Sequence, residues 1–252
     1  MVPSRDEIIG FCDELLEIDS FEDYGPNGLQ VPGAAEVEKV ATGVSANQAF
    51  IEAAIGAGAQ LAIAHHGLFW GGDPQALSEQ LARRLRALLG ADVALAAYHL
   101  PLDAHREIGN NALLCEGLGF ELGESFSPLR GRPIGVTGRN AGLTAAELTA
   151  RVTELVGREP LTFTDGPDRI ESIGIVSGGA SKQIGDAIDL GLDAYLTGEP
   201  SEPAMADARE GRIHFFAAGH YATETFGVRR LGELIGERFG IAHEFVDVPN
   251  PI

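Results

Sequence analysis

The sequence predicts an α/β protein built from two similar lobes with mainly parallel sheets, and three observations support this. Short runs rich in Val, Ile, Leu and Ala alternate with helical patterns along the chain, as is typical of buried parallel strands covered by helices. The second half of this pattern resembles the first. Polar side chains also follow several strand patterns, at the edge where open α/β sheets bind ligands.

The first block opens with an amphipathic helix over residues 4–18, in which Ser4 and Glu7 have the spacing of a capping box. The turn-rich segment 23–33 follows. Its glycines either bring the backbone close to a ligand or belong to an irregular surface loop. Strand patterns then cover residues 37–44, 60–64 and 92–97, and helical patterns cover residues 47–56, 74–89 and 110–118.

The second block follows a segment rich in Ser, Pro, Arg and Gly, residues 124–132, which we interpret as a connection. The predicted lobes are therefore residues 1–125 and 126–252. This prediction allows the lobes to be interlaced, with a segment of one half belonging to the other lobe. Strand patterns cover residues 134–137, 172–177, 193–197, 213–217 and 243–248, and helical patterns cover residues 144–156, 182–190, 203–210 and 223–238.

The internal duplication rests on the order of short motifs. The tripeptide at residues 44–46 (VSA) and that at residues 176–178 (VSG) each open a helix that ends at a glycine. In both halves a strand pattern ending in polar residues comes next. The match needs a one-residue gap and is weak by identity, so it predicts related lobes and not a close repeat.

Composition limits the class of protein and its partners. The chain has 252 residues and a net charge of −19, which argues against nucleic-acid binding because phosphate binders present a basic face. No apolar run is long enough to span a membrane, and the first ten residues lack the pattern of a signal peptide. We therefore expect a cytoplasmic protein, with Cys12 and Cys115 as buried thiols and not a disulfide.

The acidity itself has two open interpretations. Only two of the 18 basic residues are lysines. An acidic, lysine-poor chain suits a cytoplasm of high salt concentration, and it equally suits a GC-rich genome that favours arginine codons. Both interpretations concern habitat and solubility and not chemistry.

Three groups of polar residues follow predicted strands and form the candidate site. They are the pair His65 and His66, His99 with Asp103, and His220 with Glu224. The last pair has the i, i+4 spacing that places both side chains on one helix face. Imidazole and carboxylate together are ligands for transition metals, and five ligands of these two kinds, one fewer than the six residues named, already suit two divalent ions.

These motifs resemble the NIF-three-like dinuclear-metal hexamer family, also known as GTP cyclohydrolase I type 2 homologues. The resemblance covers nearly the whole chain and includes residues 27–31 (NGLQV), 65–67 (HHG), 99–103 (HLPLD), 219–224 (GHYATE) and 247–251 (DVPNP). Two residues depart from the family pattern. Pro26 stands where an acidic residue usually precedes the asparagine, and Pro32 stands where a glycine usually follows Val31.

The resemblance implies a metal site and an assembly. His65, His66, Asp103, His220 and Glu224 would bind two divalent ions, of zinc, iron, manganese or nickel, in the cleft between the lobes. His99 would line the site as a catalytic group that shuttles a proton, and His105 is a second candidate for that role. The assembly would be a ring-like homohexamer with its metal sites facing an internal cavity.

Two functions of different classes follow from such a site. The first is a metal-dependent hydrolase of the cyclohydrolase kind, acting on a small molecule such as a purine nucleotide through a metal-activated water. The second is a non-catalytic metal-binding carrier, buffer or regulatory adaptor. Residues 178–182 (GGASK) offer a possible anion site at a helix start, although we prefer the interpretation that they form a tight turn between strand and helix.

Overall fold

The computed structural model describes residues 2–74 and 76–252, which form two compact units that are interlaced in sequence. The first unit comprises residues 1–102 and 227–248, and the second comprises residues 103–226 and 249–252. Each unit is a mixed α/β structure built on one sheet, which confirms the predicted two-lobed fold. The predicted division between the lobes after residue 125 marks where the sequence pattern restarts, and this division stays a prediction.

Helices and strands alternate through most of the described residues. The strands are β1 (Gly28–Val31), β2 (Lys39–Ser45), β3 (Leu61–His66), β4 (Ala94–Ala97), β5 (Glu121–Leu129), β6 (Arg132–Leu143), β7 (Leu161–Thr164), β8 (Ile170–Ile175), β9 (Ala194–Thr197), β10 (His214–Ala217) and β11 (Ala242–Phe245). The helices are α1 (Arg5–Leu15), α2 (Gln48–Gly56), α3 (Glu79–Ala91), α4 (Leu100–Ala104), α5 (Asn110–Gly117), α6 (Ala145–Val156), α7 (Ile184–Asp189), α8 (Ala204–Gly211), α9 (His220–Thr223) and α10 (Thr225–Phe239).

The sheet of the first unit has the order β1-β4-β3-β2-β11. Strands β4, β3, β2 and β11 are parallel, and β1 pairs with β4 in the antiparallel direction. The composition of segment 23–33 indicates only turns, so the strand within it corrects that interpretation. Pairing with β4 explains the strand, because Gly28 and Val31 become buried while Leu29 between them stays exposed.

The sheet of the second unit has the order β5-β6-β8-β9-β10-β7. Only β8, β9 and β10 are parallel, while the three remaining pairings are antiparallel. The predicted connection at residues 124–132 is wrong, because it is the hairpin of β5 and β6. Arg130 and Gly131 have positive φ at its turn, and the Ser, Pro and Gly content that suggested a linker belongs to a solvent-facing edge strand.

Strand β11 also differs from the prediction, because it belongs to the first unit and not to the second. It lies parallel to β2, with His243 opposite Val40. The imidazole Nε2 of His243 is 2.8 Å from the hydroxyl of Thr42, and Lys39 donates to the carboxylate of Glu244 at 2.6 Å. Sequence order alone could not reveal this pairing, because β11 and β2 are about two hundred residues apart.

The start of helix α1 agrees with the prediction, and the start of α3 does not. The predicted capping box of α1 is confirmed, since the Ser4 hydroxyl accepts from the N–H of Glu7 and the Glu7 carboxylate accepts from Ser4. Helix α3 begins at Glu79 after the N-cap Ser78, later than the predicted start at residue 74, and residue 75 of that prediction lies outside the described residues. Within residues 2–74 and 76–252, no helix is both long and apolar enough to cross a bilayer.

Each unit has its own apolar core. In the first, Phe50, Ile51 and Leu95 are fully buried between the sheet and its helices. In the second, Ile173 and Phe216 are fully buried in the core. Cys12 and Cys115 are free and buried, as expected, and burial raises the pKa of each thiol to about 12.

Candidate metal centre

Three imidazoles of the first unit form one cluster. His65 and His66 are the last two residues of β3, and His99 follows shortly after β4 along the chain. The ring centroids of His65 and His66 are 4.7 Å apart, and those of His65 and His99 are 5.1 Å apart. Each ring offers one nitrogen within 4.8 Å of the other two, so the cluster matches the spacing of side chains around a metal ion.

The tautomer of two of these rings follows from their hydrogen bonds. Nδ1 of His65 lies 2.9 Å from the carbonyl oxygen of Tyr98. A carbonyl only accepts, so Nδ1 carries the proton and Nε2 keeps a lone pair. His99 has the same arrangement, since its Nδ1 donates to Asp23 at 2.8 Å. The Nδ1 of His66 is 3.2 Å from the hydroxyl of Ser45, which can donate or accept.

Asp23 is a site residue that the sequence interpretation missed. Its side chain is only 2% exposed, and besides His99 it accepts from the backbone N–H of Leu100 at 2.9 Å and from the amide of Asn27 at 3.0 Å. Burial raises the pKa of Asp23, but its interaction with His99 and the hydrogen bonds from Asn27 and the Tyr24 N–H outweigh burial, so the pKa lies below its usual value. Asp23 is therefore an ionised anchor for the His99 ring.

The segment at residues 27–31 holds the backbone next to the histidines. The Asn27 side-chain oxygen accepts from the N–H of His99 at 2.8 Å. The Gln30 side-chain oxygen accepts from the N–H of Leu68 at 2.8 Å, and its amide lies where a Cβ on Gly67 would be. The two polar side chains of this segment thus fix the loops after β3 and β4.

Two carboxylates and one imidazole of the second unit form a second cluster. Asp103 lies in α4, is 6% exposed, and accepts from Asn110 at 2.8 Å and from the Ser177 hydroxyl at 3.0 Å. Glu224 lies between α9 and α10 and is 2% exposed. Its Oε1 is 3.1 Å from Nε2 of His220. Asp103 and Glu224 each offer an oxygen within 4.8 Å of the other.

His220 lies between two carboxylates, only one of which was predicted. Its Nε2 faces Glu224, and its Nδ1 forms a short hydrogen bond with Glu199. Burial lowers the pKa of His220, but the hydrogen bonds and charges of Glu224 and Glu199 outweigh it and raise the pKa to about 9. The signal for Glu199 was its place just after β9, at the same kind of strand end as the other site residues.

The turn after β8 explains how these side chains meet. Gly178 has φ +66°, and a Cβ there would collide with the Glu224 carboxylate and lie 3.2 Å from Nε2 of His220. The N–H of Gly178 donates to the Thr223 hydroxyl at 3.1 Å. This supports the tight turn and not the anion site for residues 178–182, because that N–H already has a partner within the unit.

His105 has a structural role in its turn. Its Nδ1 lies 3.2 Å from the backbone N–H of both Glu107 and Ile108, so this nitrogen accepts from the turn that leads to α5. Nδ1 of His105 therefore already accepts hydrogen bonds from the backbone and is not available to transfer a proton. Of the two candidates for proton transfer, His99 is the one that lies in an imidazole cluster.

The donor sets fit divalent transition metals. Imidazole nitrogen and carboxylate oxygen are ligands for zinc, iron, manganese and nickel. The hydrogen bonds that hold Nδ1 of His65 and of His99 are the outer contacts usual for metal-binding histidines. The structure thus contains candidate metal-binding groups among its described residues.

Comparison with known proteins gives a consistent picture. The family model described as Duf34/NIF3 (NGG1p interacting factor 3) matches residues 3–251. A Pseudomonas aeruginosa protein named GTP cyclohydrolase 1 type 2 homolog is 45% identical over 241 residues, 95% of each chain. The relative of the same name from Vibrio cholerae is 42% identical over 98% of each chain.

Solved structures extend this similarity to the whole fold. The structure of the protein ybgI, described as of unknown function, has a TM-score of 0.94 at 38% identity and covers 99% of this chain and 100% of its own. A protein from Thermus thermophilus has a TM-score of 0.90 at 35% identity with the same coverage. Sequence and structure therefore show that this chain belongs to the Duf34/NIF3 family.

Proposed function

We propose that the protein binds two divalent transition-metal ions through His65, His66, Asp103, His220 and Glu224 and acts as a metal-dependent hydrolase. The observation that carries this proposal is the pair of clusters. His65 and His66 lie among three imidazoles in the first unit, and in the second unit Glu224 lies close to both Asp103 and His220. Burying a cluster of polar side chains costs free energy, and binding of metal ions would offset that cost.

The chain's own groups support water-dependent chemistry. A bound pair of ions would supply an activated water and stabilise negative charge on the bond attacked. His99, whose Nδ1–H is held by Asp23, presents Nε2 as a base of fixed orientation. Glu199 holds the ring of His220 through its Nδ1, so both units fix an imidazole by a carboxylate.

The substrate class is part of the same proposal. Relatives carry the name GTP cyclohydrolase 1 type 2 homolog, and we propose a small molecule of the purine nucleotide class for this chain. The reaction would add water at the ring carbon between two nitrogens. We also propose that the active form is a ring-like homohexamer, which the mass of the protein by light scattering would test against its 26.6 kDa chain.

Elemental analysis tests the metal site first. The protein is purified without a metal-affinity tag, and its metals are counted by mass spectrometry, before and after chelation and reloading. We expect about two equivalents of transition metal per chain, because five ligands of these types suit two ions. A content well under one equivalent, with no uptake on adding zinc, iron, manganese or nickel, would contradict the proposal.

Activity assays separate the hydrolase from its main alternative. The reloaded protein is incubated with GTP and other purine nucleotides, and product formation is compared with that of the chelated protein. Metal-dependent turnover supports the hydrolase. Stoichiometric metal without turnover supports a non-catalytic carrier, buffer or regulatory adaptor, because a site for storage needs no open coordination position.

A further inference from the structure

Two aromatic side chains flank the imidazole cluster of the first unit. The Trp70 ring centroid is 5.1 Å from that of His99 at an interplanar angle of 88°, and 5.9 Å from that of His66. The Tyr24 ring centroid is 6.2 Å from that of His99. Metal binding and proton transfer use neither ring, so their place beside these imidazoles needs a separate explanation.

Packing does not supply that explanation. Phe69, the neighbour of Trp70, packs against the apolar core of the first unit. Trp70 instead contacts imidazoles and stays partly accessible, and Tyr24 is 41% exposed. Large aromatic side chains that remain accessible beside a polar cluster are typical of ligand sites, which combine apolar rings with a few polar groups.

Both rings are held in place by their loops. The N–H of Gly71 donates to the carbonyl oxygen of Tyr24 at 2.5 Å. The Phe69 carbonyl oxygen occupies the place where a Cβ on Gly25 would lie, and that Cβ would be 3.6 Å from the Trp70 ring. The backbone N–H of Trp70 donates to the Asp73 carboxylate at 3.2 Å. The two loops therefore fix each other, and the rings form a prepared surface, which lowers the entropy cost of binding.

We propose that Tyr24 and Trp70 bind the planar ring of a nitrogen heterocycle by stacking. Aromatic faces attract planar π-systems in offset or edge-to-face arrangements. The lone pair that Nδ1–H···Asp23 leaves on Nε2 of His99 can accept from an N–H on the edge of such a ring. The inference rests on the proposed function for the reaction that follows, but the binding itself does not need a metal ion.

The single tryptophan of the chain makes this testable without an activity assay. Its indole N–H gives one cross-peak in a ¹H–¹⁵N spectrum of the labelled protein, and guanosine 5′-monophosphate is titrated into the metal-free form. We expect a saturable shift of this cross-peak. Ribose 5-phosphate, which lacks the purine ring, should leave the cross-peak unchanged.

Variants then assign the contact to the rings. Tyr24→Ala should weaken binding of the nucleotide between about twofold and tenfold, since an aromatic pair contributes on that order. Leu89→Ala removes another exposed apolar side chain, on α3, and should leave the affinity unchanged. Trp70→Leu removes the indole whose cross-peak reports binding, so calorimetry measures the affinity of this variant for the nucleotide. We expect that affinity to be weakened as well.

Several outcomes would overturn the inference. These are no shift with the nucleotide, an equal shift with ribose 5-phosphate, an unchanged affinity in Tyr24→Ala, or a saturable shift with tetramethylammonium in place of the nucleotide, which would indicate an organic-cation site. Two metal equivalents without nucleotide binding would leave the proposed metal site standing and remove this inference together with the proposed substrate class. Nucleotide binding without metal uptake would do the reverse.

Discussion

His66→Ala is expected to abolish tight metal binding while the fold stays intact. Loss of an outer partner of a metal ligand already costs about 10- to 100-fold in affinity, so loss of the ligand itself should exceed about 100-fold. The fold should survive because His66 is only partly buried, lies at the end of β3, and packs on other imidazoles rather than in the apolar core. Metal content and competition with a chelator measure the first effect, and thermal unfolding of the metal-free protein measures the second.

His243→Ala is the matched control for this variant. His243 is also a half-buried histidine of the first unit, on β11, where its ring contacts Thr42. It belongs to none of the clusters of ligand-type side chains found among residues 2–74 and 76–252. Its removal should leave the metal content at the wild-type value. An unfolded His66→Ala protein, or one that keeps both metal equivalents, would count against the assignment.

Asp23→Ala is expected to lower the free energy of unfolding by about 3 kcal/mol, since a buried donor that loses its acceptor costs about 1–3 kcal/mol. The buried carboxylate accepts from the His99 ring, the Leu100 N–H and the Asn27 amide. An alanine leaves these donors without their acceptor. Denaturant unfolding of the metal-free protein measures the loss. Asp19→Ala, at an exposed position in the same part of the chain, should cost less than about 0.5 kcal/mol.

The effect of Asp23 has a defined pH dependence. Because its pKa in the folded protein is lowered, its contribution to stability is fully present above the unfolded pKa of about 4, and is lost as the pH falls through the lower folded pKa. The difference between wild type and Asp23→Ala should therefore be constant from about pH 5 upward, to within about 0.5 kcal/mol. It should shrink below about pH 4. Equal losses for Asp23→Ala and Asp19→Ala at neutral pH would show that Asp23 anchors nothing.

The sequence predicted the histidine-bearing strands because their signals are local. Residues 60–64 form a buried apolar run, and His65 and His66 follow it directly. The structure continues β3 through both histidines, so only the end of the strand was misplaced. The caps of α1 and the βα alternation are equally local, and they were also predicted correctly.

Asp23 could not be predicted in the same way, and the sequence indicated Glu199 only by its place after a strand and not by its contact with His220. Asp23 lies in a segment whose composition indicates only turns, and its partner His99 is 76 residues further along the chain. Glu199 contacts His220 across 21 residues. Spacing rules describe one helix face or one strand, so they say nothing of carboxylates that approach an imidazole from another loop. The roles of the five predicted ligands stay predictions until metal is measured.

The sequence did not predict the edge strands correctly, for a related reason. Strands β5 and β7 are largely exposed or half-buried and contain Ser, Pro and Thr, so they lack the apolar run that identifies a buried strand. Strand β11 has a recognisable pattern, but its sheet is decided by pairing with β2, and sequence order suggested the other unit. Long-range pairing is a property of the folded chain and not of a window of residues.

The interlaced units have a consequence for how the protein is made. The ribosome completes residues 103–226 before residues 227–248 exist, so the nascent first unit lacks β11 and most of helix α10 while most of the second is already available. During that interval β2 has an open edge whose N–H and C=O groups can pair with other chains. Synthesis from the N-terminus therefore means that the sheet of the first unit is completed late. A chain that terminates before residue 242 lacks β11, and its first-unit sheet would be prone to aggregation.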